Sequence, residues 1–349
     1  MDIHDHAYIG KMSLRRVEDF TTGVNPLGPS NKVRYVVRKK ARSLDIFPDE
    51  SMRYLKAYLS KLEGVAENRL VFGAGSTHLL ALLLQIVKPG VVGVLSPCST
   101  RLENSLRLHK TEIRPIPIMD EGDGFTADAE KLCELMGDVD MMILPHPHDV
   151  TGAIIPDEKL DLLIEESDRL GKVLVVDEAY RDYTPVASPL RRAVTSRSTI
   201  ILRTFSLYHA LAGLRLGYGV GSLRLVDELN ITVPSSLVNG LAPQGAIVSL
   251  KDKGFRARTL KFIEEEKRYL REKLGDIRDI RLIDTPCNFV LLALRDDLES
   301  ILHSFRKRNI LADGFIGPHG TAYLRVPVKR HKSNAFFMRA LRRIMEVRS

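Results

Sequence analysis

The chain has 349 residues, 44% hydrophobic and 28% charged, which argues against a disordered or collagen-like polypeptide and allows one large and one smaller domain. Its net charge of +8 does not mark a nucleic-acid binder, because Lys and Arg are spread over helix faces such as 256–275 and 328–348 among Glu and apolar residues. Cys98, Cys133 and Cys287 are far apart and form no CxxC pair, which argues against a disulfide framework or structural zinc and for a reducing, cytoplasmic setting.

The opening residues, MDIHDHAYIGKMSLRR, lack the continuous apolar core of a secretory signal, and His4 and His6 within them support little. The first forty residues are rich in loop chemistry, with Asn25-Pro26-Leu27-Gly28-Pro29 a clear turn, and residues 1–44 are expected to form an arm packed on the smaller domain. A strand over Arg69–Phe72 runs into Gly73-Ala74-Gly75-Ser76-Thr77 and an apolar helix. The most apolar stretch, Leu79–Leu95, is interrupted by Lys88-Pro89-Gly90, so no membrane span is expected.

Short β-branched runs then alternate with helical stretches: Val91–Leu95, Glu112–Ile118, Met141–Leu144, Lys172–Val176, Thr199–Thr204 and Gly217–Val220. Such alternation implies parallel strands with crossover helices, and the wholly apolar Lys172–Val176 suits a strand covered on both faces. Residues 45–236 are expected to form this large α/β domain. Residues 237–349 read as a smaller α+β domain, with a charged helix over Phe255–Leu274, strands at Phe289–Leu294 and Ala322–Val326, a helix near Leu298–Arg308 and a terminal helix.

The polar residues cluster at the ends of these strands. Ser76 and Thr77 open a helix after a glycine-rich turn, which presents hydroxyls and free N–H groups to an anion; a plain turn with an N-cap serine is the alternative. Asp177-Glu178-Ala179-Tyr180 follows a buried strand at its carboxyl end, where open α/β sheets place ligands, and an acid there can pair with a protonated ring nitrogen or simply cap a turn. Thr204, Ser206 and Arg215, the last within Ala212-Gly213-Leu214-Arg215-Leu216-Gly217-Tyr218, supply the remaining groups of a phosphate cup.

DFTTGVNPLGPS at 19–30, FGAGS at 72–76, VTGAIIP at 150–156, DEAYRDY at 177–183 and LAGLRLGY at 211–218 resemble the fold type I pyridoxal-phosphate (PLP) group over residues 19–345. Within that group the chain is most similar to threonine-phosphate decarboxylases and histidinol-phosphate aminotransferases. The resemblance implies a large seven-stranded type of sheet domain, a smaller C-terminal domain, a homodimer and a place in cobalamin (cobamide side-chain) or histidine synthesis. It also implies Asp177 for the pyridine nitrogen, Tyr180 for the ring oxygen, and Gly75, Ser76, Thr77, Thr204, Ser206 and Arg215 for the cofactor phosphate. Asn25 and Arg325 would bind substrate, the arginine taking a carboxylate.

The pattern breaks at Leu207, in Ser206-Leu207-Tyr208-His209, where the group carries its Schiff-base lysine. A leucine can neither bind the cofactor covalently nor move a proton. Asp149 replaces an asparagine beside the ring, Ser99 replaces a stacking aromatic, Phe47 replaces a tyrosine that reaches a partner's phosphate, and Leu311-Ala312-Asp313-Gly314 lacks a further arginine.

A lysine-less homologue is therefore expected, one that binds a phosphorylated small molecule, or PLP or pyridoxamine phosphate (PMP), noncovalently, with transamination and decarboxylation lost. Two alternatives stay open. One is a noncatalytic subunit paired with an active paralogue. The other is an enzyme using His209 or His148 as base, or a metal held by His146, His148, Asp149 and His209, although local hydrogen bonding is the commoner use of such imidazoles and no metal site is assigned.

Overall fold

The computed structural model describes residues 17–233, 237–275, 277 and 279–346. The signal-peptide reading, His4, His6 and the near side of the 236/237 boundary, residues 234–236, lie outside those residues. The N-terminal stretch carries more regular structure than its turn chemistry suggests. It forms strand β1 (Glu18–Phe20) and helix α1 (Asn31–Lys40), whose first turn is capped by Ser30 Oγ accepting from the Val33 N–H. Helix α2 (Arg53–Glu63) follows, burying Leu55 and Leu59 and ending on Gly64 with φ 68°.

The large sheet comprises β2 (Leu70–Gly73), β3 (Val91–Ser96), β4 (Glu112–Asp120), β5 (Phe125–Ala127), β6 (Met141–Pro145), β7 (Val173–Asp177), β8 (Thr199–Thr204) and β9 (Gly217–Gly221). Its order is β2-β9-β8-β7-β6-β3-β4-β5. The run β8-β7-β6-β3-β4 is parallel throughout, β9 runs antiparallel to both of its neighbours, and β5 hangs antiparallel on the edge. The α/β expectation holds, with eight described strands in place of the seven-stranded type, but Gly217–Val220, expected among the parallel strands, runs antiparallel because only the short turn region 205–216, and no crossover helix, separates it from β8. The additional strand, Phe125–Ala127, is too short to show a period in sequence.

Helices α3 (Ser76–Val87), α4 (Thr100–Leu108), α5 (Ala129–Met136), α6 (Asp157–Leu170) and α7 (Leu190–Thr195) connect these strands, and α8 (Leu223–Thr232) follows β9. Successive residues of the central strands feed two cores. Met142, Leu144, Leu174, Val176 and Ile201 belong to one face, and Met141, Ile143, Val173, Val175 and Ile200 to the other. Each such side chain contributes roughly 1.5–3 kcal/mol on burial, which is why the strands are apolar end to end and polar residues appear only where they stop.

Helix α9 (Ala242–Lys251) packs on α1, and α10 (Lys253–Leu274) leads into a second sheet. That sheet has the order β1-β12-β13-β11-β10, with β10 (Ile280–Asp284), β11 (Phe289–Leu294), β12 (Ile310–Ile316) and β13 (Ala322–Pro327). Helices α11 (Leu298–Arg306) and α12 (His331–Glu346) complete a core around Phe20, Phe305 and Phe337. Strand β12 is not visible as one in sequence because Asp313-Gly314 reads as a turn. Here Gly314 instead lets the Tyr323 carbonyl approach closely. Among the described residues no helix is long and apolar enough to cross a membrane.

Candidate functional site

The carboxyl ends of β2, β3, β6, β7 and β8 face the second sheet across a cavity of about 520 Å³. At one end lies an anion cup. Gly75 precedes α3 with φ 96°, Ser76 is buried in the first turn, and the Ser76 and Thr77 N–H groups meet no backbone acceptor among the described residues. Arg215 closes the cup from a left-handed position (φ 51°): Nη1 lies 3.5 Å from Ser206 Oγ and 3.3 Å from the Ala212 carbonyl, and Nη2 lies 3.4 Å from the Ala74 carbonyl. No carboxylate pairs with it among the described residues. Its donors are thus aimed into a space lined by Ser76, Thr77, Thr204 and Ser206.

The opposite wall carries acids. Asp177 ends β7 and accepts from the Ala179 N–H at 3.0 Å. Burial pushes its pKa up to about 7, Asp149 and Glu178 push the same way, and the Ala179 N–H and Arg101 oppose them. Asp149 follows β6 and faces the same cavity. One of its oxygens is buried with no hydrogen-bond partner, 3.9 Å from a His148 ring that burial holds neutral, its pKa down to about 4.

Arg325, on β13, reaches the cavity from the second sheet, only 5% exposed. It donates to the Tyr180 hydroxyl at 2.6 Å and the Thr21 carbonyl at 3.2 Å, lies over the Phe289 ring at 4.2 Å, and leaves Nε without a partner. No carboxylate pairs with this guanidinium among the described residues, an arrangement suited to an anionic ligand. Tyr180 is thereby committed to Arg325, its hydroxyl beside Gly23.

Leu207 lines the cavity beside Ser206, and no lysine is among the described residues that do so. Ser99 lines it too, whereas Phe47 is 88% exposed and remote. Several expected site residues are placed elsewhere. Asn25 is buried outside the cavity, its amide donating to the Tyr208 carbonyl and Thr259 Oγ1 and its Oδ1 accepting from the Leu27 N–H. His209 packs against Phe205 and lies 2.7 Å from Ser249 Oγ, so it is no base for this cavity. His148 is bonded to Thr151 and His146 accepts from the Ile155 N–H; neither ring lines the cavity, because the chain between β6 and Asp149 turns both inward.

Thr21, Thr22, Cys98, Arg101 and Phe315 also line the cavity and carried no sequence signal of their own. The Cys98 thiol is pushed up to about 11 by burial, Glu103 and Asp149, so it stays protonated near neutral pH. Behind Asp177 runs a buried ionic network: Arg203 meets Glu178 and Glu63 at 2.7 Å each and the Tyr218 hydroxyl at 3.0 Å.

The family model for aminotransferase class I and II matches residues 17–341. A histidinol-phosphate aminotransferase of Moorella thermoacetica is 28% identical over 96% of this chain and 87% of its own length. A putative threonine-phosphate decarboxylase of Caldanaerobacter subterraneus is 26% identical over 93% and 89%. The crystal structure of histidinol-phosphate aminotransferase from Sinorhizobium meliloti in complex with pyridoxal-5'-phosphate superposes with a TM-score of 0.88, covering 100% of this chain and 99% of that one at 18% identity, and so shares its fold.

Proposed function

The chain belongs to the aminotransferase class I and II family, and from that premise we propose that it is a lysine-less member that binds a phosphorylated small molecule, PLP or PMP among the candidates, without a covalent bond. The observation that carries this reading is a cavity with an anion cup of Ser76, Thr77, Ser206 and Arg215, lined by Leu207 and, among the described residues, by no lysine. The residues fit the cofactor at its phosphate, through the cradle that Gly75 leaves open to Arg215, and at its ring nitrogen, through Asp177. They do not fit its covalent attachment.

When bound in a family enzyme, PLP supplies an electron sink for carbanion chemistry. In this chain the cup orients a phosphate, Arg325 receives a ligand carboxylate, and Tyr180 fixes the arginine that does so. Leu207 holds no proton to give or take, so amino-group transfer from histidinol phosphate and decarboxylation of threonine phosphate are both expected to be lost.

Exposed apolar side chains in the N-terminal part of the chain, Tyr35, Leu44, Ile46, Phe47 and Tyr54, support assembly with a second copy as a homodimer. Incubation with PLP, borohydride reduction and peptide mapping test the reading. No pyridoxyl-lysine at the cavity and no turnover of either substrate are expected, together with calorimetric binding of a phosphorylated ligand. A site-specific lysine adduct, or turnover, overturns it.

A further inference from the structure

The short strand β5, which adds to the seven-stranded type, helps the large sheet reach across the cleft. It forms a hairpin with the end of β4 at the sheet's edge, with Ile118 opposite Ala127 and Asp120 opposite Phe125. The tip of that hairpin is bonded to the second sheet. The Asp120 carboxylate accepts from the Tyr323 hydroxyl of β13 and, at 2.7 Å, from Arg281 Nη2 of β10. Arg281 Nη1 donates to the Gly122 carbonyl, and the Gly122 N–H donates to Asp120 Oδ1 at 2.8 Å, in a turn whose glycine has φ 94°. An exposed ion pair would hold little, but this carboxylate is only 16% exposed and is shared by a hydroxyl and a guanidinium.

Aromatic rings carry these contacts inward to the cavity. Phe125 of β5 meets Tyr323 edge-on at 5.2 Å and Phe315 of β12 at 6.1 Å, and Phe315 stacks on Tyr323 at 5.0 Å. Tyr323 is fully buried, and Gly317 leaves no room for a Cβ beside its ring. Asp313 and Phe315 line the cavity, as does Arg325, which follows Tyr323 by two residues and so lies on the same face of β13. We propose that this hairpin is a clasp on the cavity: Asp120 positions Tyr323 and Arg281, thereby holds the β12–β13 wall in place, and its release opens the cavity. The clasp governs access and is independent of which ligand the cavity takes, so it does not rest on the phosphate-binding reading above.

Two measurements on ligand-free protein test it: hydrogen exchange of the amides of residues 313–316, and alkylation of Cys98, which lines the cavity, with the half-buried Cys133 outside the cavity as internal reference. In Asp120→Asn and in Arg281→Gln both rates are expected to rise about fivefold or more, while exchange in β7 and alkylation of Cys133 keep their native values. The double variant is expected to match the stronger single change, since both remove one pair. Tyr323→Phe keeps the ring contacts and loses only the hydroxyl, and it decides the matter, with the same outcome expected, should the charged variants fail to fold. An unchanged rate at either residues 313–316 or Cys98 overturns the clasp. So does a rise shared by β7 and Cys133, which would mark Asp120 as a residue of general stability.

Discussion

Gly75 and Arg215 share a space that admits no side chain at the glycine: a Cβ there would lie 2.8 Å from Nη2 of the arginine, on a residue whose φ is 96°. The glycine is thus what lets the guanidinium close the anion cup at the head of α3.

Arg215→Ala is expected to weaken binding of PMP, threonine phosphate and inorganic phosphate on the order of tenfold or more, since a charge-assisted bond contributes roughly 1.5–3 kcal/mol. Gly75→Ala should weaken it in the same direction by displacing the arginine. Because both act on one group, the double variant should bind no worse than Arg215→Ala alone. Calorimetry checks the series, and equal affinity in native protein and Arg215→Ala would remove the cup.

Leu207→Lys is expected to gain a borohydride-fixed pyridoxyl adduct without gaining turnover. The introduced amine would stand in the cavity, on a backbone whose carbonyl is held by the Asn25 N–H at 2.9 Å. Asp149 would still oppose a phenolate and Ser99 would still leave the ring without a stacking partner, and a working site needs its whole shell. Single-turnover assays with the two substrates discussed above decide the matter; efficient conversion would make the other departures neutral.

Asp177 ties stability to pH in the ligand-free protein. The folded carboxyl holds its proton to about pH 7, against 3.8 for the free side chain, so the native state binds more protons than the unfolded state between those values. Stability from this group therefore falls as pH rises through that window. Asp177→Asn should melt higher than native protein above pH 7 and lose that advantage below about pH 4. Thermal melts across pH check this, and a constant difference would refute it.

Arg203→Ala should cost about 3–5 kcal/mol in urea unfolding, because it strands the fully buried Glu178 carboxylate without its closest cation. Replacing Arg203 and Glu178 together by apolar residues should be milder than the single change. The reverse ranking would show that the network stabilises through something other than charge pairing.

Sequence alone determined the parallel sheet, because strands covered on both faces must be apolar throughout, as β7 is, and such runs are legible without neighbours. It also singled out Leu207 and Asp149 as expected departures from the motifs that carry the resemblance. The motifs carrying Ser76, Asp177, Ser206 and Arg215 could be read because each sits where a strand stops, and there polarity is informative.

Only the tertiary structure decided which polar residues share a cavity. Asn25 and Arg325 look alike in sequence as polar residues within motifs. One is consumed by three internal hydrogen bonds, whereas the other, across the sheet boundary, keeps a donor without a partner. His148 and Asp149 are neighbours in the chain, yet only Asp149 lines the cavity, while the imidazole is fully buried 3.9 Å from one of its carboxylate oxygens. Burial and partnering are properties of packing between segments far apart in the chain, and no local pattern encodes them.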